Sequence, residues 1–224
     1  MPPGFAHPDF NAKLDPAEYV KLTPPSAMIR GAFFLNLLAM ARAGRCELPD
    51  GVEKKYHAFK EYPLTDHVRL LAEVAKAVHP ELPFGEALRQ IGQRIYPMFA
   101  ASLAGKVIFS TVGHNPSSLL SAGVKAYNVS ASVGSVQIIE LDEAHGHFYL
   151  ENMFNFVEQY HVGIIEGAIK ILGYVPDLLT KRAFNDLERV LRDLVGIPHT
   201  RSELWESLHS NTRNSGAMLA RASG

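Results

Sequence analysis

The spacing of apolar residues divides the chain into a helical front and a sheet-forming back. Between residues 26 and 121, apolar side chains recur every three or four positions, as Phe33, Leu37 and Met40 do. This spacing places them on one face of a helix. Interrupting prolines and glycines break the stretch into separate segments. The front, residues 26–121, is therefore predicted to be a bundle of about five helices.

The back of the chain shows a period of two instead. Apolar and polar residues alternate at 126–132 and at 135–141, and a further apolar-rich stretch spans 147–156. These patterns predict three strands joined by short turns. The stretch 160–172 returns to helical spacing. Residues 126–175 are therefore predicted to form a small antiparallel sheet with one covering helix, so that the fold class is α+β.

The flanking segments complete the domain organisation. Residues 1–25 are rich in proline, which removes backbone donors and predicts an extended arm with at most one turn, from Pro16 to Val20. Residues 176–196 suit either a helix or a fourth strand, and their apolar spacing favours the helix. Residues 197–224 are predicted to be a C-terminal segment with a flexible tail. The central part, 26–196, is expected to be a single domain.

Composition is that of a soluble globular protein. Hydrophobic residues make up 47% of the 224 residues and charged residues 20%, with a net charge of -1. Such a balance gives no overall attraction to nucleic acid or to an anionic membrane. The chain shows no signal-peptide pattern and no apolar run of membrane-spanning length. Its single cysteine, Cys46, excludes a disulfide within the chain. A cytoplasmic location is predicted.

Several short motifs occur in an order that resembles a known family. They are Ile29 to Phe34, Tyr62-Pro63, Glu86 to Arg94, Gly105 to Val107, Tyr127 and His161 to Gly167. Over residues 26–175 they resemble an uncharacterised family found mainly in myxobacteria, catalogued as a domain of unknown function. The arrangement is more distantly similar to haem-nitric-oxide-binding (H-NOX) domains, vinyl-reductase-type ligand domains and Bet3-type trafficking subunits. The resemblance implies sensing, scaffolding or ligand binding.

The similarity to H-NOX domains raises the question of a haem cofactor. Those sensors hold the haem propionates with a Tyr-x-Ser-x-Arg motif. The corresponding strand here reads Tyr149-Leu150-Glu151-Asn152-Met153, without the serine or the arginine. The carboxylate of Glu151 would repel a propionate. The sequence therefore argues against haem, and no cofactor is predicted.

Histidine is the residue type that most suggests chemistry. His145 and His147 form a His-x-His pair, which on a strand would face one way and could ligate a metal. No third ligand is evident from the sequence, so an exposed polar turn is the favoured interpretation. A histidine-based metalloenzyme remains the less favoured alternative. Gly163 and Gly167 share a helical face and predict close packing rather than a phosphate loop. No catalytic residue is predicted.

The favoured function is a non-enzymatic regulatory or sensory module that binds an apolar small ligand or a protein partner. A ligand pocket is expected between the helical front and the sheet, near Phe99, Tyr127, Tyr149 and His161. The alternative is a protein-interaction adaptor without a ligand. In that case the N-terminal arm and the segment around Trp205 would dock a partner or a second copy of the chain.

Overall fold

Most helices come from the front part of the chain and most strands from its back part. The computed structural model describes residues 6–48, 55–101, 106, 110, 115–141, 145–173, 175–183 and 215–223. The helices are α1 Pro16–Leu22, α2 Gly31–Ala43, α3 Leu64–Val78, α4 Phe84–Gln93, α5 Ile95–Ala101, α6 Pro116–Asn128 and α7 Val162–Lys170, the last preceded by a π-helical turn, Val157–His161. The strands are β1 Met28–Arg30, β2 Glu61–Pro63, β3 Ser135–Leu141, β4 His145–Glu151, β5 Val175–Ala183 and β6 Ser215–Ser223. The predicted α+β class is confirmed.

Helices α2, α3 and α4 enclose one hydrophobic core. Phe34, Leu71 and Leu88, one from each helix, are fully buried in it. Their apolar faces follow the helical spacing seen in the sequence, and burying such faces is what holds the helices together. None of the described helices is both long and apolar enough to cross a bilayer. The predicted helical bundle is confirmed, but residues 26–121 also contain a two-stranded sheet, β1 with β2, that was not predicted.

The sheet has four strands in the order β3-β4-β6-β5, and all neighbours are antiparallel. Helices α6 and α7 pack on one face, where Leu119, Phe148 and Ile169 are buried. The predicted strand at 135–141 and the predicted covering helix are confirmed. The strand predicted at 147–156 instead spans 145–151, because the backbone turns to a positive φ at Asn152 and leaves the sheet.

The predicted strand at 126–132 is wrong, because helix α6 continues to Asn128. The side chain of Asn115 caps this helix by accepting a hydrogen bond from the Ser118 amide, and proline follows at the first helical position. Both features favour a helix start. The short alternation that suggested a strand lies at the end of this helix and in the turn that follows. Ala131 forms only an isolated bridge with Ile29.

Two predictions for the C-terminal part are also wrong. Val175–Ala183 is a strand, so the helix favoured for 176–196 is excluded over its first eight residues. Residues 215–223, predicted as part of a flexible tail, form the strand between β4 and β5. These strands are far apart in the sequence and satisfy each other's backbone hydrogen bonds. The local spacing of apolar residues does not reveal such pairing. The remainder of 176–196 and the Trp205 segment lie outside the described residues.

The N-terminal arm is partly helical and packs on the body of the fold. Helix α1 is capped by Asp15, whose side chain accepts from the Ala17 amide. The ring of Tyr19 lies 4.3 Å from that of Phe156, centroid to centroid. The arm predicted as extended for residues 1–25 therefore contains a helix, Pro16–Leu22, where the sequence indicated at most one turn. The Tyr19 ring therefore packs within the chain and is less available for docking a partner.

Helices α4 and α7 meet at backbone distance, as the paired glycines predicted. A Cβ atom at Gly163 would overlap with the carbonyl oxygen of Arg89, and one at Gly167 would overlap with that of Gln93. Only glycine permits this approach. The Arg89 guanidinium also donates two hydrogen bonds, of 2.7 and 2.9 Å, to the carboxylate of Glu166. This contact fixes α7, and the turn before it, against the helical front.

Candidate ligand-binding site

A cavity of about 300 Å³ lies where the helical front meets the sheet. Its wall is built from α2, α5 and α6 on one side and from β3, β4 and the start of α7 on the other. This volume falls at the lower end of the range for small-molecule sites. An apolar cavity of ~150 Å³ takes up benzene, so the cavity has room for a molecule about twice that size.

The described residues of the cavity wall are mostly apolar and carry no formal charge. Among the described residues that line it, none is Asp, Glu, Lys or Arg. Its polar side chains are Asn36, Tyr96, Tyr127, Ser130 and His161. Transfer of a charged group into such surroundings is strongly unfavourable, whereas an apolar group gains from it. The wall therefore suits an uncharged ligand.

The structure brings together three of the four residues predicted to line a pocket. Phe99, Tyr127 and His161 all line the cavity, and Tyr149 does not. On β4 it is Phe148 and Leu150 that line the cavity, and alternate side chains of a strand point to opposite faces. Tyr149 is thus buried on the other face of the sheet. The participation of the other three in binding stays a prediction.

The π-helical turn positions His161 in the wall of the cavity. It begins after Phe156, a non-glycine residue with a left-handed φ of 55°. Phe156 is completely buried, and its ring packs against those of Tyr19 and Phe84. Packing of this kind is what sustains a strained backbone conformation. Such turns insert an additional residue and are frequent at functional sites.

A buried polar cluster, made of His67, Tyr160 and His161, lies beside the cavity. The ring centroids of Tyr160 and His161 are 5.4 Å apart, and those of His67 and Tyr160 are 6.4 Å apart. All three side chains are at least 95% buried. Neither ring nitrogen of either histidine, nor the tyrosine hydroxyl, has a hydrogen-bond partner among the described residues. Leaving one such group unpaired costs about 1–3 kcal/mol, so the cluster needs an explanation.

Burial keeps the titratable groups of the site neutral. It lowers the pKa of His67 to about 4. It also lowers the pKa of His161 to about 3, with a smaller contribution from the neighbouring His67. Burial raises the pKa of Tyr96 to about 12 and raises the pKa values of Tyr127 and Tyr160 as well. At neutral pH each histidine therefore offers one N–H donor and one nitrogen acceptor.

Two members of this cluster were missed in the sequence. His67 lies on the inner face of α3 together with Leu64, Leu71 and other buried residues. A polar residue on the apolar face of an amphipathic helix is the signal that could have identified it. Tyr160 was considered only as one of four aromatic residues, with Tyr149, Phe154 and Phe156, that could line an apolar cavity but more often form plain core. Its burial depends on the π-helical turn, for which the sequence carries no recognisable signal.

The His-x-His pair does not acquire further ligands in the described part of the chain. Both histidines lie on β4, and His147 is paired in register with Glu140 on β3. No group of three or more His, Cys, Asp or Glu side chains among the described residues could hold a metal ion. Asp142 and Glu143, the nearest carboxylates in sequence, lie outside the described residues. The position of His145 in a strand corrects the predicted turn.

Comparison with solved structures defines the class of fold. The crystal structure of an Fe(II) unliganded H-NOX protein from K. algicida is 10% identical, with a TM-score of 0.53, over 88% of this chain and 97% of that one. A mutant H-NOX protein from S. oneidensis in the Fe(II) ligation state is 12% identical, with a TM-score of 0.54, over 88% of this chain and 97% of that one. At such identities the likeness shows a shared fold.

The sequence places the chain in one particular family within that class of fold. A family model described as "Protein of unknown function (DUF2378)" matches residues 23–190. The chain belongs to this family. No curated protein matches the chain.

The described residues of the cavity wall do not fit a haem. A haem needs an axial ligand and polar partners for its two propionates. Among the described residues of the cavity wall there is no arginine or lysine, and the single histidine is His161. At the end of β4, where the resemblance would place the propionate partners, stand Glu151, Asn152 and Met153. The lack of charged side chains among the described wall residues therefore adds to the sequence-based argument against haem.

Proposed function

We propose that this protein is a sensory module that binds a small, uncharged and mostly apolar molecule, without haem. The observation that carries the proposal is the cavity of about 300 Å³ between the helical front and the sheet. Burial of apolar ligand surface there contributes about 25 cal/mol per Å². The few polar side chains in the wall would orient the ligand, as in other small-molecule sites.

The protonation and hydrogen bonding of the polar side chains near the cavity favour ligand binding over catalysis. The two histidines are held neutral by burial. Glu166, the carboxylate on the neighbouring helix, is occupied by Arg89 and Gln93. Neither histidine has a hydrogen-bonded carboxylate among the described residues, which a general base would need to orient it. The shared fold with H-NOX proteins supports a sensing role by analogy alone.

The position of the cavity explains how occupancy could be transmitted. Its wall joins α2, α5 and α6 to the sheet and α7, so a ligand contacts both layers of the fold at once. A ligand that prefers one arrangement of two packed layers shifts the population toward that arrangement. Regulation of a protein partner through such a shift is part of the proposal, and the adaptor without a ligand remains the alternative hypothesis.

The test uses naphthalene and substitutions on α2. Ala32 lines the cavity, and Ala39 is an exposed residue of the same helix. We expect naphthalene to raise the melting temperature of the full chain, since a ligand at a hundred times its Kd adds about 2.7 kcal/mol of stability. Ala32→Phe fills the cavity and should abolish the shift, whereas Ala39→Phe should preserve it. Equal shifts in both variants, or none in the parent protein, would exclude the cavity as a binding site.

A further inference from the structure

We infer that the ligand carries one uncharged hydrogen-bond acceptor, a carbonyl oxygen or a ring nitrogen, to which the Tyr96 hydroxyl donates a hydrogen bond beside helix α6. The inference rests on the proposed function and specifies the chemical class of its ligand. Tyr96 is the second residue of α5, and it lines the cavity together with Gly123 of α6. Its hydroxyl is a donor at the edge of an otherwise largely apolar space.

Gly123 marks the position of the Tyr96 hydroxyl. A Cβ atom at this glycine would overlap with the hydroxyl oxygen, which therefore lies directly over the backbone of α6. Apart from the helix backbone and the two adjacent residues, only atoms of Tyr96 lie within 3.9 Å of that Cβ position among the described residues. The hydroxyl therefore has free space beside it, at a point where both residues line the cavity.

The hydroxyl of Tyr96 is unpaired but accessible. It has no hydrogen-bond partner among the described residues and, unlike the hydroxyl of Tyr160, it is not shielded from contact. Tyr96 is partly exposed, yet burial raises the pKa of its hydroxyl to about 12. The two observations agree if its exposed surface faces a recess within the protein rather than bulk solvent, and the cavity is such a recess. At neutral pH the hydroxyl keeps its proton and can donate a hydrogen bond.

The polar atoms of the other two aromatic wall residues, His161 and Tyr127, do not face the cavity. Both ring nitrogens of His161 are fully shielded, so a molecule in the cavity cannot reach them. The hydroxyl of Tyr127 lies 3.3 Å from the Cβ position of Gly134, which is not part of the described wall. Among the aromatic side chains of that wall, Tyr96 is therefore the one that offers a donor to a ligand.

The acceptor on the ligand must be uncharged. No Lys or Arg is found among the described residues of the wall. A carboxylate or phosphate would therefore be buried without a counter-ion, which is strongly unfavourable, and one neutral phenol does not offset that cost. The rest of the molecule is expected to be apolar and of roughly bicyclic size, judged from the ~150 Å³ that suffices for benzene.

The experiment compares naphthalene with quinoline on the full chain. Quinoline has the same shape and is uncharged at neutral pH, but one ring nitrogen replaces a CH group and accepts a hydrogen bond. Affinities are measured by equilibrium dialysis for the parent protein and for Tyr96→Phe. We expect this substitution to weaken quinoline binding about three- to tenfold, as the loss of one neutral hydrogen bond does, and to leave naphthalene binding nearly unchanged.

The outcomes separate this inference from the proposed function. Equal changes for both probes in Tyr96→Phe, or binding of naphthalene but not of quinoline to the parent protein, would overturn this inference and leave the proposed function standing. No binding of either probe to the parent protein would overturn both.

Further substitutions separate Tyr96 from the other polar side chains of the wall. Asn36→Leu and Ser130→Ala remove an amide and a hydroxyl that compete as donors, and each should alter the ratio of the two affinities less than Tyr96→Phe does. Tyr62→Phe is the control, because the Tyr62 hydroxyl accepts a hydrogen bond from the His57 amide and lies outside the described wall. It should leave the ratio unchanged. A ratio that responds to Asn36→Leu or Ser130→Ala but not to Tyr96→Phe would overturn the assignment of the donor.

A spectroscopic measurement covers the case in which Tyr96→Phe does not fold. In the unsubstituted protein, the NMR shift of the Tyr96 ζ carbon reports the hydrogen bonding of its hydroxyl. Addition of quinoline should move this shift, and naphthalene should leave it nearly in place. Identical responses to both probes would contradict a hydrogen bond between the ligand and the hydroxyl.

Discussion

Two groups of buried polar side chains lie close together on the segment 157–170, and their hydrogen bonding differs. Glu166 accepts hydrogen bonds from Arg89 at 2.7 and 2.9 Å and from Gln93 at 2.7 Å. Tyr160 and His161, one to two turns earlier, have no partner for their polar side-chain atoms among the described residues. The paired carboxylate joins helices α4 and α7. Its hydrogen bonds offset the free-energy cost of removing the charges from water. The unpaired groups make no comparable contact among the described residues.

The largest effect is expected from breaking the paired group. Arg89→Leu leaves the Glu166 carboxylate buried without its cation, and should lower the free energy of unfolding by about 3–5 kcal/mol. Urea unfolding of the full chain measures this loss. Arg69→Leu is the matched control, because Arg69 forms a 3.2 Å ion pair with Asp66 and its side chain is 60% exposed. Its loss should stay below about 1 kcal/mol. Equal losses would mean that the α4–α7 ion pair is not a principal contact.

Acidification should destabilise the fold through the unpaired histidines. Burial lowers the pKa of His67 in the folded state to about 4, from an ordinary value of 6.5. Below pH 6.5 the unfolded chain binds a proton that the folded chain does not, so stability falls as the pH falls. Between pH 6.5 and 5 the loss from this residue amounts to about 2 kcal/mol.

The histidine contribution can be isolated with one variant. His67→Phe should remove that part of the loss, so that the unfolding free energies of variant and parent protein diverge by this amount between the two pH values. Chemical denaturation at each pH provides the comparison. Parallel pH profiles for the two proteins would contradict a neutral, buried His67.

The smallest change in stability is expected from removing a single hydroxyl, and it compares an unpaired hydroxyl with a hydrogen-bonded one. Tyr160→Phe removes a hydroxyl that has no partner among the described residues, and should change stability by less than about 0.5 kcal/mol or increase it. Tyr62→Phe removes a hydroxyl that accepts a hydrogen bond of 2.9 Å from the His57 amide. It should cost about 1 kcal/mol. Thermal unfolding distinguishes them, and a costlier Tyr160→Phe would reveal that the hydroxyl is already satisfied within the protein.

Parts of the fold that local patterns determine were predictable. Helix α3 has a clear apolar face. Apolar and polar residues alternate over the first part of β3, as they do in a half-buried strand. Strand β6 was not predictable, because 215–223 contains no β-branched or aromatic residue. Its strand conformation depends on pairing with β4 and β5, both remote in sequence. Propensity is a weak guide where tertiary pairing decides.

The candidate site was predictable in its location but not in its detail. The sequence placed Phe99, Tyr127 and His161 near one another, and they share one cavity. Tyr149 was misplaced by one position, although the inward Phe148 and Leu150 already implied the opposite face for it. The π-helical turn depends on a left-handed Phe156. A non-glycine residue in that conformation carries no signal in the sequence.

The most direct test of the cavity as a ligand site is a titration followed by methyl NMR. β-Naphthol is added to the full chain while the methyl signals of Leu120, Ile164 and Ile165, all in the cavity wall, are recorded. Saturable shifts confined to these and neighbouring cavity methyls, and lost in Ala32→Phe, are the predicted result. Shifts that persist unchanged in Ala32→Phe, or that fall on methyls away from the cavity, would contradict the account.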